Sequence, residues 1–136
     1  MNLALDIGNT RSKIGLFDKH DLQESKVITD WDSHTLIDYC HKKGVQKIIL
    51  SSVAAPDIPM QKTLAQHFDL LELTHQTPLP FKNRYTTPHT LGKDRLAAVS
   101  GAQALLPGQH CLVVDCGTCI KYDILTSESE YLGGNI

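Results

Sequence analysis

Apolar residues near the start of the chain fall in short runs separated by polar turns, a pattern typical of β-strands. Residues 3–5 and 14–17 predict two buried strands, and residues 22–29 predict a third. A polar turn at residues 18–21 separates the second strand from the third. We therefore predict an antiparallel meander in which residues 6–13 form a hairpin-like turn.

Helical spacing follows this meander. Asp32 or Ser33 is expected to cap a helix, because short polar side chains accept hydrogen bonds from the first free N–H groups of a helix. Gly44 is expected to end that helix, since glycine adopts the left-handed backbone that a helix C-terminus favours. Residues 45–50 then predict a buried strand.

A second helix is predicted over residues 60–68 and a further strand over residues 70–73. The order β-β-β-α-β-α-β results. Residues 78–88 have little periodicity and predict an extended loop. Residues 91–106 have the spacing of a helix that Pro107-Gly108 ends.

The first turn combines a glycine with polar side chains and an acid. A glycine lets an anion approach the backbone because it has no Cβ, while hydroxyl, amide and ammonium groups donate hydrogen bonds. The residues with these properties are Gly8, Asn9, Thr10, Ser12 and Lys13. Asp6 would repel a phosphate unless a cation lies between them. The turn thus predicts a metal–nucleotide phosphate site, with a polar hairpin containing an Asx-type turn as the alternative.

The same pattern occurs again near residue 115. An apolar run at residues 111–114 precedes Asp115-Cys116-Gly117-Thr118, and a second strand-like run follows at residues 120–125. Two such turns indicate a duplicated architecture, in which each half of a two-lobed nucleotide-binding fold contributes one phosphate loop. The repeat is a single internal pair and not a solenoid array.

Charge and composition exclude several classes of function. The net charge is −2, so the chain has no basic footprint for nucleic acid. Its longest apolar stretches are much shorter than a membrane span, and no charged segment followed by an apolar one opens the chain as in a secretory signal. We expect no nucleic-acid partner, no membrane association and a cytoplasmic location.

Cys116-x-x-Cys119 invites a redox or zinc interpretation. A structural zinc site needs four ligands, and no second Cys or His pair follows at zinc-finger spacing. Reduced thiols are expected without a secretion signal. We therefore favour ordinary free cysteines at both positions.

Three motifs together resemble type III pantothenate kinases of the actin/sugar-kinase/Hsp70 superfamily. Asp6-x-Gly8-Asn9-Thr10-x-x-Lys13 is similar to the first phosphate motif of that family, Gly92-Lys93-Asp94-Arg95 to its Gly-x-Asp-Arg motif, and Asp115-x-Gly117-Thr118 to its second phosphate motif. Tyr85 matches a substrate-contact position, and residues 132–136 resemble the start of a later Gly-Gly-x-Ile motif. Cys119 stands where the family more often has a small residue.

The resemblance implies that the chain is the N-terminal part of such a kinase and that it has an α/β fold. Residues 1–107 would form an actin-like (ribonuclease H-like) lobe with a mixed sheet, carrying the first phosphate loop and the Gly-x-Asp-Arg helix. Residues 108–136 would supply the opening strands of a second, incomplete lobe. It further implies a longer protein, so that these residues alone would be inactive.

The activity implied by the resemblance is ATP-dependent phosphorylation of pantothenate to 4'-phosphopantothenate, the first step of coenzyme A biosynthesis. The implied cofactors are ATP, Mg²⁺ and a monovalent cation, K⁺ or NH₄⁺, and the implied assembly is a homodimer. The alternative is a nucleotide-binding regulatory protein, a transcription accessory factor of the same superfamily without catalysis. The intact Asp94-Arg95 pair favours the kinase, since a regulator needs no base.

The resemblance also assigns roles to individual residues. Asp94 would be the catalytic base, although acids near a helix N-terminus are also favoured by the helix dipole alone. Asp115 would hold the monovalent cation, and Asp6 would hold Mg²⁺ directly or through water. The substrate would contact Tyr85, Gly92, Lys93, Asp94 and Arg95. ATP would contact Asp6, Ile7, Gly8, Asn9, Thr10, Arg11, Ser12, Lys13 and Thr118.

Overall fold

The computed structural model describes residues 1–29, 31–54 and 57–136. Its strands are β1 (Asn2–Ile7), β2 (Ser12–Asp18), β3 (Asp21–Ile28), β4 (Lys47–Ser52), β5 (Asp69–Glu72), β6 (Lys82–Asn83), β7 (Cys111–Cys116), β8 (Ile120–Leu125) and β9 (Glu130–Asn135). Its helices are α1 (Ser33–Lys42), α2 (Ile58–His67) and α3 (Lys93–Leu105), and a short 3₁₀ turn covers Pro88–Thr90. Within these described residues, no helix has the length and apolar character needed to cross a membrane.

The described chain divides into two compact units, Met1–Leu73 and Thr74–Ile136. In the second unit, α3 packs against β7 and β8. This division falls before the predicted boundary at residue 107, because α3 covers the sheet formed by the later strands. The boundary at residues 107 and 108 stays a prediction for the lobes of the complete protein.

The first unit is a five-stranded mixed sheet with helices α1 and α2. Its strand order is β3-β2-β1-β4-β5, in which β1, β2 and β3 are antiparallel and β4 and β5 run parallel to β1. The predicted meander and the β-β-β-α-β-α-β order are therefore confirmed. The α/β class with a mixed sheet is that of an actin-like lobe.

Alternating apolar positions form the core of this unit. One face of each central strand is buried, and α1 contributes three buried residues to the same core. The buried strand residues are Leu3, Leu5, Ile14, Leu16, Ile48 and Leu50, and those of α1 are Leu36, Ile37 and Cys40. This core fixes the strands from which the first phosphate turn extends.

The ends of α1 follow the predicted capping chemistry. The Asp32 carboxylate accepts a hydrogen bond from the backbone N–H of Thr35 at 2.8 Å, so Asp32 and not Ser33 is the N-cap. Lys43 is the C-cap, and Gly44 follows it with a φ of 64°. Glycine adopts this left-handed conformation readily because it has no Cβ, and its position confirms the predicted end of the helix.

The second unit is a four-stranded sheet of order β6-β9-β8-β7 with α3 on one face. Two of its strands were not predicted: β6 lies within the segment expected to be a loop, and β9 covers the segment identified only as a motif. β6 pairs with β9 over two residues only, and such a short pairing has no periodicity that a sequence could show. Helix α3 begins at Lys93, two residues later than predicted.

Candidate active site

The first phosphate turn joins β1 to β2 at the carboxyl end of β1. Ile7 and Ser12 are the last paired residues of the two strands, and the backbone N–H of Gly8 donates to the carbonyl of Arg11 at 3.1 Å. A Cβ at position 8 would lie 2.8 Å from that carbonyl oxygen, so the tight turn requires glycine. Asn9 and Thr10 at the tip are exposed. Exposed donors on a glycine turn are the arrangement that binds an anion.

The neighbouring strand end adds hydroxyl groups to this edge of the sheet. β4 runs parallel to β1, with Ser51 beside Asp6 and Ser52 beside Ile7. Ligands of open α/β sheets bind beyond the carboxyl ends of parallel strands. The structure therefore places the predicted phosphate turn at the edge of the sheet where a ligand site is expected.

The second phosphate turn joins β7 to β8 in the same manner. Cys116 pairs with Ile120, and the backbone N–H of Gly117 donates to the carbonyl of Cys119 at 3.1 Å. Gly117 and Thr118 are exposed at the tip. The hydrogen bond that closes the second turn is thus the counterpart of the one that closes the first.

The internal repeat also includes a lysine on the strand that follows each turn. Asp6 lies opposite Lys13 across the first hairpin, and Asp115 lies opposite Lys121 across the second. Each turn therefore combines an aspartate before it with a lysine on the facing strand. Lys121 does not stand out in the sequence, because the second loop is one residue shorter than the first and the lysine therefore falls outside the motif spacing.

Asp94 lies in the first turn of α3 and is held by two donors. Its Oδ1 accepts from the backbone N–H of Arg95 at 2.9 Å, and its Oδ2 accepts from Lys121 Nζ at 2.5 Å. A Cβ at Gly92 would lie 2.3 Å from Asp94 Oδ1. Glycine at position 92 thus allows the Asp94 carboxylate to fold back over the start of the helix.

Lys121 joins Asp94 to the second phosphate turn. Its Nζ also donates to Asp115 Oδ2 at 2.9 Å, and the lysine side chain is only 17% exposed. Hydrogen bonds to Asp94, and then to Asp115, raise the pKa of Lys121 above the ordinary lysine value, against the lowering effect of burial. Lys121 is therefore an ammonium cation shared by two carboxylates.

Arg95 forms a buried ion pair with Asp123 on β8. Its Nε and Nη2 donate to Asp123 Oδ1 at 3.0 and 2.6 Å, and both side chains are almost fully buried. Tyr131 donates its hydroxyl to the same carboxylate at 2.6 Å. This buried cluster fixes the start of α3 to β8 and β9.

Tyr85 lies over this buried cluster. Its ring stacks on that of Tyr131 with centroids 6.5 Å apart, and the Arg95 guanidinium carbon lies 5.8 Å from the Tyr85 ring centroid. Gly133 has a φ of 90°, and a Cβ there would lie 2.5 Å from the Tyr85 ring. Tyr85 itself is half-buried. The remaining predicted substrate contact, Lys93, is the first residue of α3.

The four cysteines are free thiols: Cys40 and Cys111 are buried, and Cys116 and Cys119 are exposed. Over residues 1–29, 31–54 and 57–136, no group of three or more His, Cys, Asp or Glu residues is arranged to hold a metal ion. A cysteine-based metal site therefore has no support in the described part of the chain.

The fold and these turns define an α/β protein of the actin-like class with two phosphate-type hairpins. A family model described as type III pantothenate kinase matches residues 2–136, and the chain belongs to that family.

Curated relatives named type III pantothenate kinase agree with this assignment. The protein of Christiangramia forsetii is 44% identical over 138 residues, which cover 100% of this chain and 57% of the relative. The protein of Phocaeicola vulgatus is 41% identical over 137 residues, with 100% and 57% covered. The protein of Bacteroides fragilis is 42% identical over 140 residues, with 100% and 56% covered. The chain thus spans a little over half the length of these relatives.

Proposed function

We propose that the protein containing this chain transfers the γ-phosphoryl group of ATP to the primary hydroxyl of pantothenate, which gives 4'-phosphopantothenate for coenzyme A synthesis. The observation that carries the proposal is the contact of Lys121 with both Asp94 and Asp115. It joins the proposed base to a phosphate turn within one compact unit, in a chain that belongs to the type III pantothenate kinase family.

Phosphoryl transfer requires mainly the positioning of both reactants and the neutralisation of charge. In the first turn, donors of residues 8–13 would bind phosphate oxygens. Asp6 is half-buried beside them. Mg²⁺ is commonly held by one or two carboxylates together with phosphates and waters, so a single carboxylate next to a phosphate turn fits this ion. When bound, Mg²⁺ would neutralise phosphate charge.

Asp94 would accept the proton of the pantothenate hydroxyl. A carboxylate suffices as the base because the loose transition state develops little need for proton removal until late in the reaction. The two hydrogen bonds to Asp94 orient its carboxylate. A general base held in this way contributes about 10²–10⁴-fold to the rate.

The substrate would lie near Tyr85, Gly92, Lys93 and Arg95. Because the Arg95 guanidinium is buried against Asp123, we assign it an indirect role: it holds the Tyr85 ring and the start of α3 in place. Tyr85 and the backbone at Gly92 would then contact pantothenate. Thr118 and Gly117 of the second turn would contact ATP.

The assembly and the location are proposals from the family. We expect a homodimer in the cytoplasm, with pantothenate and ATP as its small-molecule partners. At Asp115, the predicted site of the monovalent cation, the carboxylate already accepts a hydrogen bond from the ammonium of Lys121.

The test is turnover by the full-length protein with pantothenate, ATP, Mg²⁺ and K⁺. Formation of ADP that requires pantothenate is expected. A folded protein that binds ATP and forms no ADP with pantothenate would exclude the kinase and favour the nucleotide-binding regulator.

A further inference from the structure

Asp115 was expected to hold K⁺ or NH₄⁺, and the structure gives that carboxylate a different cation. Asp115 and Lys121 are directly paired across β7 and β8. Their side chains lie on the sheet face that carries α3, so Asp94 in the first turn of that helix reaches the same ammonium. The cation of this site is therefore covalently part of the chain.

We propose that the Lys121 ammonium takes the place of a soluble monovalent cation at Asp115, so that the site functions without K⁺ or NH₄⁺. This inference rests on the proposed kinase function for its effect on turnover. Lys121 acts through Asp94 and Asp115 and is a positioning residue.

The electrostatics of the cluster support this assignment. Two carboxylates that share a site repel each other, and one of them would be driven to protonate unless a cation lies between them. An ammonium is a compact charge that donates to both oxygens. A second monovalent cation bound to Asp115 would lie close to the half-buried Lys121 ammonium, and two like charges a few ångströms apart repel each other.

The geometry of the cluster also suits a fixed cation. The Lys121 side chain is 17% exposed and that of Asp94 22% exposed, so solvent screens their contact only in part. The lysine stem extends from a central strand of the sheet, which leaves the ammonium little freedom to move away from the acids. A cation attached in this way is present at every salt concentration.

The first measurement is thermal unfolding of the full-length protein in KCl, NH₄Cl and tetramethylammonium chloride at equal ionic strength. The last cation is too large to enter the site. A ligand that binds only the folded protein raises its midpoint temperature. We expect the wild-type midpoint to be the same in all three salts, and a rise specific to K⁺ or NH₄⁺ would overturn the proposal.

The second measurement removes the ammonium. Lys121→Ala leaves two adjacent acids and an empty volume, so K⁺ and NH₄⁺ are expected to raise its midpoint by about 2–4 °C over the large cation. Lys121→Met, which keeps the apolar stem, provides a second test if the alanine variant folds poorly. Lys82→Met is the control, because Lys82 is exposed on β6 and lies outside the site. A lack of any cation-specific rise in both Lys121 variants would contradict the proposal.

Turnover gives the third measurement. Wild-type turnover is expected to be independent of K⁺, whereas Lys121→Ala should lose about 10–100-fold, the usual effect of losing a partner of a charged site. NH₄⁺, methylammonium or K⁺ should restore part of this loss, and a purely structural lysine would not be restored in this way. If no variant phosphorylates pantothenate but the midpoints follow the expected pattern, the proposed function fails and the cation assignment stands. Wild-type turnover that depends on K⁺ would overturn the assignment.

Discussion

At the residue scale, Asp94 is defined by its two contacts. One oxygen accepts from the backbone at the start of α3, and the other accepts from Lys121. A carboxylate that accepted a hydrogen bond only from a helix N–H would be explained by stabilisation of the helix alone. The additional contact with a lysine from the second phosphate hairpin favours the role of proton acceptor.

Asp94→Asn in the full-length protein tests this role. Asparagine keeps the shape of the side chain but accepts no proton, so turnover should fall by about 10²–10⁴-fold. ATP affinity should change little, since the phosphate turns are unaltered. Steady-state kinetics and nucleotide titration measure the two quantities. Asp18→Asn, at the end of β2 and exposed, is the matched control, and turnover of Asp94→Asn within a few-fold of wild type would exclude the base.

Arg95 is expected to contribute mainly to stability, through its buried ion pair with Asp123. Removal of one partner of a buried ion pair leaves an uncompensated charge, which typically costs about 3–5 kcal/mol. We expect this cost for Arg95→Met. Asp123→Asn keeps an acceptor for the Tyr131 hydroxyl. Because the double variant leaves neither charge buried alone, its loss of stability should be smaller than the sum of the two single losses by about 0.5–3 kcal/mol.

Urea unfolding of the three variants measures that coupling. If the two substitutions are additive, Arg95 and Asp123 do not act as a pair, and the guanidinium would be available for the substrate as the sequence motif suggested.

At the element scale, the strands and helices with regular patterns could be predicted and the short pairings could not. The alternation of Leu3, Leu5, Ile14 and Leu16 predicted the meander, because one face of each strand is buried. The two-residue strand β6 depends on β9 as a partner, and this pairing is a tertiary interaction. Element boundaries were accurate where a capping residue such as Asp32 marked them.

The candidate site could be predicted only where a motif carried it. Short motifs predicted Asp94 and the two turns. Gly8 and Gly92 belong to these motifs because a Cβ at either position would clash with a neighbouring oxygen. Lys121, Asp123 and Tyr131 were missed, because their roles depend on the register of β7, β8 and β9. One indication was available in the sequence: the lysine that faces Asp6 in the first hairpin has a counterpart facing Asp115.

The glycines of α3 and β9 provide a paired test of the fold. A Cβ at Gly134 would lie 1.5 Å from the carbonyl oxygen of Tyr122, so Gly134→Ala should separate β9 from β8 and cost about 1–3 kcal/mol. Gly101 in α3 has no atom within 4 Å of an added Cβ. Gly101→Ala should therefore stabilise by about 0.5–1 kcal/mol. Thermal or urea unfolding gives both values, and equal effects of the two substitutions would contradict the close packing of β9 against β8.

At the scale of the whole molecule, the sheet of the second unit has an uncovered apolar face. The face opposite α3 exposes Leu112, Val114, Ile124 and Leu132 by 46–64%. Contiguous exposed apolar surface of this kind commonly marks an interface.

Residues 1–136 in isolation are accordingly predicted to self-associate through this face. Light scattering should show a mass above that of one chain, and Val114→Lys should shift the distribution towards the monomer. A monodisperse wild-type monomer would contradict the predicted self-association through this face. Leu22→Lys, an exposed apolar position on β3, is the control for the added charge.

The most direct test of the central claim is detection of the phosphorylated product. Full-length protein is incubated with pantothenate, ATP and Mg²⁺, and the products are identified by mass spectrometry and ³¹P NMR. We expect 4'-phosphopantothenate to form in step with ADP and to be lost in Asp94→Asn. Folded wild-type protein that binds ATP and yields no phosphopantothenate, or an Asp94→Asn variant that yields as much as wild type, would contradict this expectation.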